Sequence, residues 1–121
     1  MGLAPGELAA QRAATKWYVD ADAFDCVLIR ATEVSNGAGG YIMQDVPLNQ
    51  QRLRMNPLQD ATTERVTPDG RKLRPAYMLI GYHDADVERL DRFFKDGREY
   101  EIVFLVENQQ YQVKAEVAYV G

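Results

Sequence analysis

Tyr100-Glu101-Ile102-Val103-Phe104-Leu105-Val106 and Tyr111-Gln112-Val113-Lys114-Ala115-Glu116-Val117-Ala118-Tyr119 decide the fold class of this 121-residue chain. Successive side chains of a strand point to opposite faces. Tyr100, Ile102, Phe104 and Val106 therefore share one face of the first run, and Tyr111, Val113, Ala115 and Val117 share one face of the second. Asn108-Gln109 lies between them. A two-residue turn there pairs Val106 with Tyr111, Phe104 with Val113, Ile102 with Ala115 and Tyr100 with Val117, an apolar set throughout. A loop longer by one residue pairs Phe104 with Lys114 and Ile102 with Glu116. A one-residue slip flips every side chain, so the first register is the expected one. The opposite face carries Glu101, Val103, Leu105, Lys114 and Glu116. It is half apolar, which suits a sheet lined by another layer or subunit.

Upstream, the same reading gives more short strands. Asp96-Gly97 is a type I′ hairpin signal between Arg92-Phe93-Phe94-Lys95 and the Glu99–Glu107 run. Ala76–Tyr82 reads as a buried strand, and Asp84–Asp91 as a loop or a single helical turn. Gln50–Met55 alternates clearly, with Leu53 and Met55 opposite Arg52 and Arg54. Tyr41–Gln44 follows the glycine-rich turn Ser35–Gly40. Phe24–Ala31 is apolar on both faces and so reads as a central strand. About six short strands with tight turns indicate a small antiparallel barrel or sandwich.

Residues 6–17 are Ala-rich, free of Pro, and carry Glu7 early and Lys16 late, which predicts a helix. Its apolar face is narrow, so it is expected to rest on a neighbour or to form an arm. Residues 18–23 read as an acidic link. The expected division is a helical arm and link over 1–23 and a β-barrel domain over 24–121. Residues 56–74 form a long polar loop within that domain, of a length that is usually functional or disordered. Pro68-Asp69-Gly70 is a tight-turn signal that folds the middle of this loop into a hairpin.

Composition is that of an ordinary soluble domain, 46% apolar and 26% charged. No apolar run reaches the roughly 18 residues of a membrane span, and the N-terminus has no secretory pattern. Met1-Gly2 does not complete a myristoylation motif, because Gly6 stands where Ser or Thr is needed. The net charge of −4 and a pI near 4.9 argue against a freestanding nucleic-acid binder. They leave room for transient passage of DNA. Cys26 reads as a small buried hydrophobe.

Reactive constellations are few. His83 with Asp84 and Asp86 lacks a metal-ligand pattern. Glu99, Glu101 and Glu116 read as a solvated strand face. Ser35 sits in a turn with no triad partners. Gly37-Ala38-Gly39-Gly40 lacks the Lys and following helix of a phosphate loop. No catalytic residue, metal or cofactor is expected. Arg52, Arg54, Arg65, Arg71, Lys72 and Arg74 concentrate positive charge against Asp60, Glu64 and Asp69. That cluster reads either as a solvated loop or as a surface for phosphate backbone or an acidic partner.

The order of motifs resembles a family. Val27-Leu28-Ile29-Arg30 is followed by Asn36–Tyr41, Arg52-Leu53-Arg54-Met55, a long variable loop, Met78-Leu79-Ile80-Gly81 and Asp84-Ala85-Asp86-Val87. Asp91-Arg92-Phe93-Phe94, Asp96-Gly97 and Tyr100–Val103 complete it. Over residues 24–120 the chain is similar to the head-to-tail stopper (head-closure, head-completion) proteins of long-tailed bacteriophages. Members often have Gly-Asp where this chain has Leu90-Asp91. The resemblance implies an SH3-like β-barrel in a homo-oligomeric ring of about six or about twelve copies. It implies a place in the virion neck, assembled in the bacterial host cytoplasm, with portal and adaptor on one side and the tail terminator on the other. It implies transient contact with packaged DNA through the 56–74 loop, with Arg65, Arg71 and Lys72 nearest the channel. It implies that Leu8, Arg12, Trp17 and Tyr18 of the arm contact a neighbouring ring. The competing reading is a standalone barrel module binding peptide or nucleic acid through Tyr41, Tyr77 and Tyr111.

Overall fold

A computed structural model describes residues 4–58, 64–67, 69–106 and 110–120, with the Arg65 side chain outside that set. The elements in chain order are α1 (Pro5–Ala21), β1 (Phe24–Cys26), β2 (Ile29–Ser35), β3 (Tyr41–Pro47), β4 (Gln51–Pro57), β5 (Arg65–Val66), β6 (Lys72–Leu73), β7 (Tyr77–Gly81), β8 (Arg92–Lys95), β9 (Arg98–Leu105) and β10 (Val113–Tyr119). The fold is mainly β, and every strand pair is antiparallel.

Eight strands form one sheet in the order β1-β4-β7-β10-β9-β8-β2-β3, and β5-β6 stand as a separate small ribbon. The expected central strand over 24–31 is thus two strands. It bends at Val27-Leu28, so β1 pairs with β4 while β2 pairs with β8 and β3. One continuous segment therefore carries strands far apart in the sheet order. The sheet must roll to let it do so, and β1 comes against β8. Inside the roll lie Leu28, Leu53, Leu79, Phe93, Ile102 and Val117, all essentially inaccessible. Cys26 lies with them, and burial pushes its thiol pKa up to about 12. It packs as a hydrophobe, as its sequence context suggested.

The last hairpin keeps the expected faces at one end and loses them at the other. Tyr100 pairs with Tyr119 and Ile102 with Val117, displaced by two residues from the expected register. A slip of two preserves the faces, so Tyr100, Ile102, Ala115 and Val117 still meet in the core. Then the ladder shifts, and Phe104 pairs with Glu116 and Leu105 with Ala115. Val103 is the extra residue, a β-bulge that changes the phase of the strand. Phe104 consequently leaves the core face, and Tyr111 falls before β10 instead of opposite Val106. The bulge was invisible to strict alternation because Val103 and Phe104 are both apolar.

The turns follow their residue chemistry. Asp96 and Gly97 have φ of 53° and 79°, as a type I′ turn requires. Asn36 Oδ1 accepts from the backbone N–H groups of Ala38 and Gly40 at 2.8 and 3.1 Å and folds the glycine-rich turn around itself. Gly81 allows a close approach: a Cβ there would stand 2.8 Å from both the Ala85 Cβ and the Leu53 Cδ2.

At the seam where the roll closes, β2 and β8 share the single paired position Ile29–Arg92. A buried ion pair reinforces it. Asp91 is 1% exposed and accepts from Arg30 Nε at 2.9 Å and Nη2 at 2.8 Å. Asp91 also accepts from the Glu88 backbone N–H at 2.8 Å. Leu90, just before it, has φ of 76°. This left-handed conformation favours glycine. Leu90 keeps the turn at a steric cost.

Two stability predictions follow from the seam. Asp91→Ala removes the buried partner of Arg30, which keeps Asp86 and Glu88, and is expected to lower unfolding free energy by about 2–3 kcal/mol, read by urea denaturation. Leu90→Gly is expected to raise it by about 0.5–1 kcal/mol, the left-handed strain relieved less the added chain entropy of glycine, seen as a higher melting temperature.

Candidate functional site

The sequence singled out two surfaces, the 56–74 loop and the N-terminal helix. In the structure the loop is closed at its base by the Leu58 N–H donating to Ala76 O at 3.0 Å. Within it, β5 and β6 form the hairpin expected from the Asp69-Gly70 turn, with Arg65 opposite Leu73 and Val66 opposite Lys72. Thr67 is buried at the turn, and its Oγ1 accepts from the Arg71 N–H at 3.0 Å and donates to Asp69 Oδ1.

This hairpin is fastened to the rolled sheet by charge. Arg71 Nη2 donates to Glu101 Oε2 of β9 at 2.8 Å, and its Nε lies 3.3 Å from Asp69 Oδ2. Arg89 Nη2 donates to Asp69 Oδ1 at 2.7 Å. The hydrogen bond to Glu101 raises the Arg71 pKa. The Thr67 hydroxyl, with Arg71 and Arg89 behind it, lowers that of Asp69. Of the three residues expected near DNA, Arg71 is thus bound to two carboxylates of its own chain. Lys72 is exposed on β6. The Arg65 side chain lies outside the described residues.

The helix is longer than expected and more firmly held. It runs to Ala21, so most of the expected link is helical. Pro5 occupies its first turn, where a missing N–H costs nothing. Its C-terminal half packs on β4 and β7 and buries Thr15 and Val19. Arg54 of β4 donates to the Tyr18 carbonyl at 2.8 Å and lays its guanidinium 4.0 Å from the centre of the Tyr18 ring. Asn56 Nδ2 donates to the Tyr18 hydroxyl at 2.6 Å. Asp20 accepts from the Tyr82 hydroxyl and pairs with Arg52 at 3.6 Å. Arg12 Nε donates to Gln110 O at 3.1 Å. Of the four residues expected at a neighbouring ring, Tyr18 and Arg12 are tied to their own domain, Leu8 is half-buried, and Trp17 is 76% exposed.

A third surface was not singled out. Among the described residues, no strand but β3 pairs with β2 beyond Ile29, so the two strands form a projecting ribbon. Tyr41, Ile42 and Met43 are exposed on it. The signal was present in the sequence as an apolar triplet opening a strand. By sequence Tyr41–Gln44 reads only as a strand, with Tyr41 as one aromatic of the competing groove.

Several sequence readings change here. Glu99, Glu101 and Glu116 are not a solvated face. Glu99 accepts from Arg92 at 3.2 Å, Glu101 holds Arg71, and Glu116 is 7% exposed. Asp86 accepts from Arg30 Nη2 at 3.0 Å. The aromatic groove of the competing reading is dispersed. Tyr41 is on the ribbon, whereas Tyr77 packs edge-on against Tyr100 and Tyr119 with its hydroxyl 2.9 Å from that of Tyr119. Tyr111 is half-buried before β10.

No protein-family model matches this chain, and no curated protein matches it. Among solved structures it is similar to a chain of the virion of a native gene transfer agent particle. The two are 17% identical with a TM-score of 0.48, over 80% of this chain and 94% of that one. A likeness at that level assigns neither fold nor function.

The charge contacts predict how the β5–β6 hairpin behaves. Exposed pairs are worth at most about 1 kcal/mol and are screened by salt. Glu101→Gln is expected to raise amide exchange at Arg71 and Leu73 about fivefold, and molar salt should do the same to the wild type. The depressed Asp69 pKa gives the pH direction. Its contribution is complete above the ordinary aspartate value of 3.8 and is lost as pH falls through the lower folded value. Unchanged exchange in the variant and in salt would show that the ion pairs do not hold the hairpin.

Proposed function

We propose that this protein is a non-enzymatic structural component of a tailed-phage neck, a head-to-tail stopper. On this reading it forms an SH3-like barrel in a closed ring, docks portal and adaptor on one side and tail terminator on the other, and closes the DNA channel after packaging. One observation carries the reading beyond the motif order. Large apolar groups stand exposed on a helix and a projecting ribbon, Trp17, Tyr41 and Met43, and Phe94 is exposed on β8. Apolar exposure on projections suits contacts with other proteins, whereas small-molecule chemistry is usually done in a concave pocket with convergent polar groups. A ring made of one chain needs heterologous contacts that close, and a rigid body with several projections can supply them.

The electrostatics fit the same role. Arg71 is neutralised by Glu101 and Asp69, and the chain as a whole carries −4. A surface of that kind passes DNA without holding it, since tight binding rests on several unpaired cations meeting phosphates.

The test is assembly. Mixed with the portal and adaptor of its own phage, the protein is expected to join them as a ring in native mass spectrometry and negative-stain images. Trp17→Ala is expected to weaken that joining by about tenfold or more, the scale of losing an exposed aromatic anchor. Lys72→Glu should leave joining intact while DNA leaks from filled heads. A chain that stays apart from both partners would sink the proposal. The standalone-module reading instead requires salt-dependent nucleic-acid binding by the monomer.

A further inference from the structure

We infer that β3 is a pairing edge for a second copy of this chain, joined antiparallel about a two-fold axis at Met43. The inference concerns the free protein and does not rest on the ring reading.

β3 closes the sheet order and is bonded only to β2. The strand at the other end, β1, is folded against β8. Among the described residues of the eight-stranded sheet, β3 is therefore the open edge. Edges are usually blunted by Lys, by Pro or by a bulge. Of these devices β3 has only Pro47, at its last position; Tyr41-Ile42-Met43-Gln44-Asp45-Val46 has no Lys, Arg or Pro, and the ladder with β2 is unbroken from Ser35–Tyr41 to Ile29–Pro47.

Two hydrogen bonds fix the phase of that ladder. The Asn36 N–H donates to Gly40 O at 3.1 Å, and the Leu48 N–H donates to Leu28 O at 2.8 Å. Bonded and non-bonded pairs alternate in an antiparallel ladder. Ile42, Gln44 and Val46 therefore turn their backbone groups toward β2, and Tyr41, Met43 and Asp45 turn theirs to the open side. Centring a second β3 on Met43 sets these outward groups against each other. Met43 meets Met43, and Tyr41 meets Asp45 of the second copy. Centring on Ile42 leaves Asp45 opposite Gly39, in the turn. Centring on Gln44 sets Tyr41 opposite Pro47, which has no N–H to give.

The charges favour the Met43 register too. Two copies at −4 repel, so a contact must avoid concentrating acid. Asp45 faces a tyrosine in this register and already holds Arg92 Nη2 at 2.6 Å. The Glu33 residues lie one strand in, opposite Met43 on β2. Across the axis they are about three strand spacings, or roughly 14 Å, apart, beyond the Debye length of about 8 Å at physiological salt. On one face Tyr41 and Met43 of both copies become a continuous apolar row.

Sedimentation equilibrium of the full chain tests this, with amide exchange followed over the same concentrations. A reversible rise from the monomer mass of 13.7 kDa to twice that value is expected. Exchange at Tyr41, Met43 and Asp45 should slow in step with it, while Ile42 and Gln44 stay protected throughout. Met43→Pro removes an N–H that points away from β2, so the ribbon is retained. It is expected to weaken the dimer by about 100-fold or more. Met43→Lys keeps the backbone intact, sets two like charges across the axis, and should do the same. A monomer at every concentration would overturn the inference. So would a dimer, or a larger ring, that forms without protecting the three outward amides or that persists in folded Met43→Lys.

Discussion

The Arg30–Asp91 fork is the constraint on which the rest of this structure depends. The sheet rolls because one segment supplies both β1 and β2, and the roll closes at the seam between β2 and β8. That seam has a single backbone pair, Ile29–Arg92. A ladder of one residue holds little by itself. Arg30 and Asp91 lie next to that pair and add two charge-assisted hydrogen bonds across the seam. A carboxylate that is 1% exposed is tolerable only with its partner in place. The pair therefore selects one closure over its neighbours, whatever its net contribution to stability. The backbone around it obeys the same demand. The Ile102 N–H donates to Asp91 O and the Leu90 N–H to Ile102 O, each at 2.8 Å. Leu90 accepts a left-handed conformation to deliver Asp91 to Arg30.

An aromatic ladder completes the closure on the inside. Phe24 of β1 lies 5.9 Å from Phe93 of β8, measured between ring centres, and so joins the two ends of the roll directly. Phe93 stacks on Tyr100 at 5.2 Å, and Tyr100 passes the contact to Tyr77 and Tyr119. Arg98 caps Tyr119 from outside, 5.0 Å from the ring centre. Rings in tilted and edge-on contact contribute beyond their buried area. Polar clamp and aromatic ladder thus fix one seam from two sides.

Much of this was legible because local rules decide it. Asp96-Gly97 could only be a tight hairpin, and the Asn36–Gly40 turn and the alternation of β4 were equally plain. The parts that were not legible depend on distant partners. Residues 18–21 look like an acidic link, yet they are helical because Val19 is buried and Arg54, Asn56 and Tyr82 hold Tyr18 and Asp20. Tertiary contacts outweigh a weak local preference there. The last hairpin failed at Val103 because a bulge between apolar residues leaves the hydrophobic pattern almost unchanged. In the candidate site, Arg71 could be picked out as a cation. Its neutralisation could not, since Glu101 lies 30 residues further along the chain.

These differences bear on how such a body can work. A roll clamped at its seam has a stable centre, and local stability falls off where buried contacts are few. The β5–β6 hairpin meets the roll largely through exposed ion pairs, and among the described residues the β2–β3 ribbon beyond Ile29 pairs with no other strand. A two-stranded ribbon in water is marginal by itself. Both elements therefore owe their conformation to whatever lies against them, and can change it without disturbing the seam. Helix α1 differs, because Arg54 and Tyr18 lock it to β4 and leave Trp17 presented from a fixed base. The division is physical: one projection is rigid and presents an aromatic anchor, while two are held weakly enough to be reshaped by a neighbour. The ribbon goes furthest in this direction, because its outer edge carries a row of backbone groups that water satisfies in the free chain and that a second strand can pair in register.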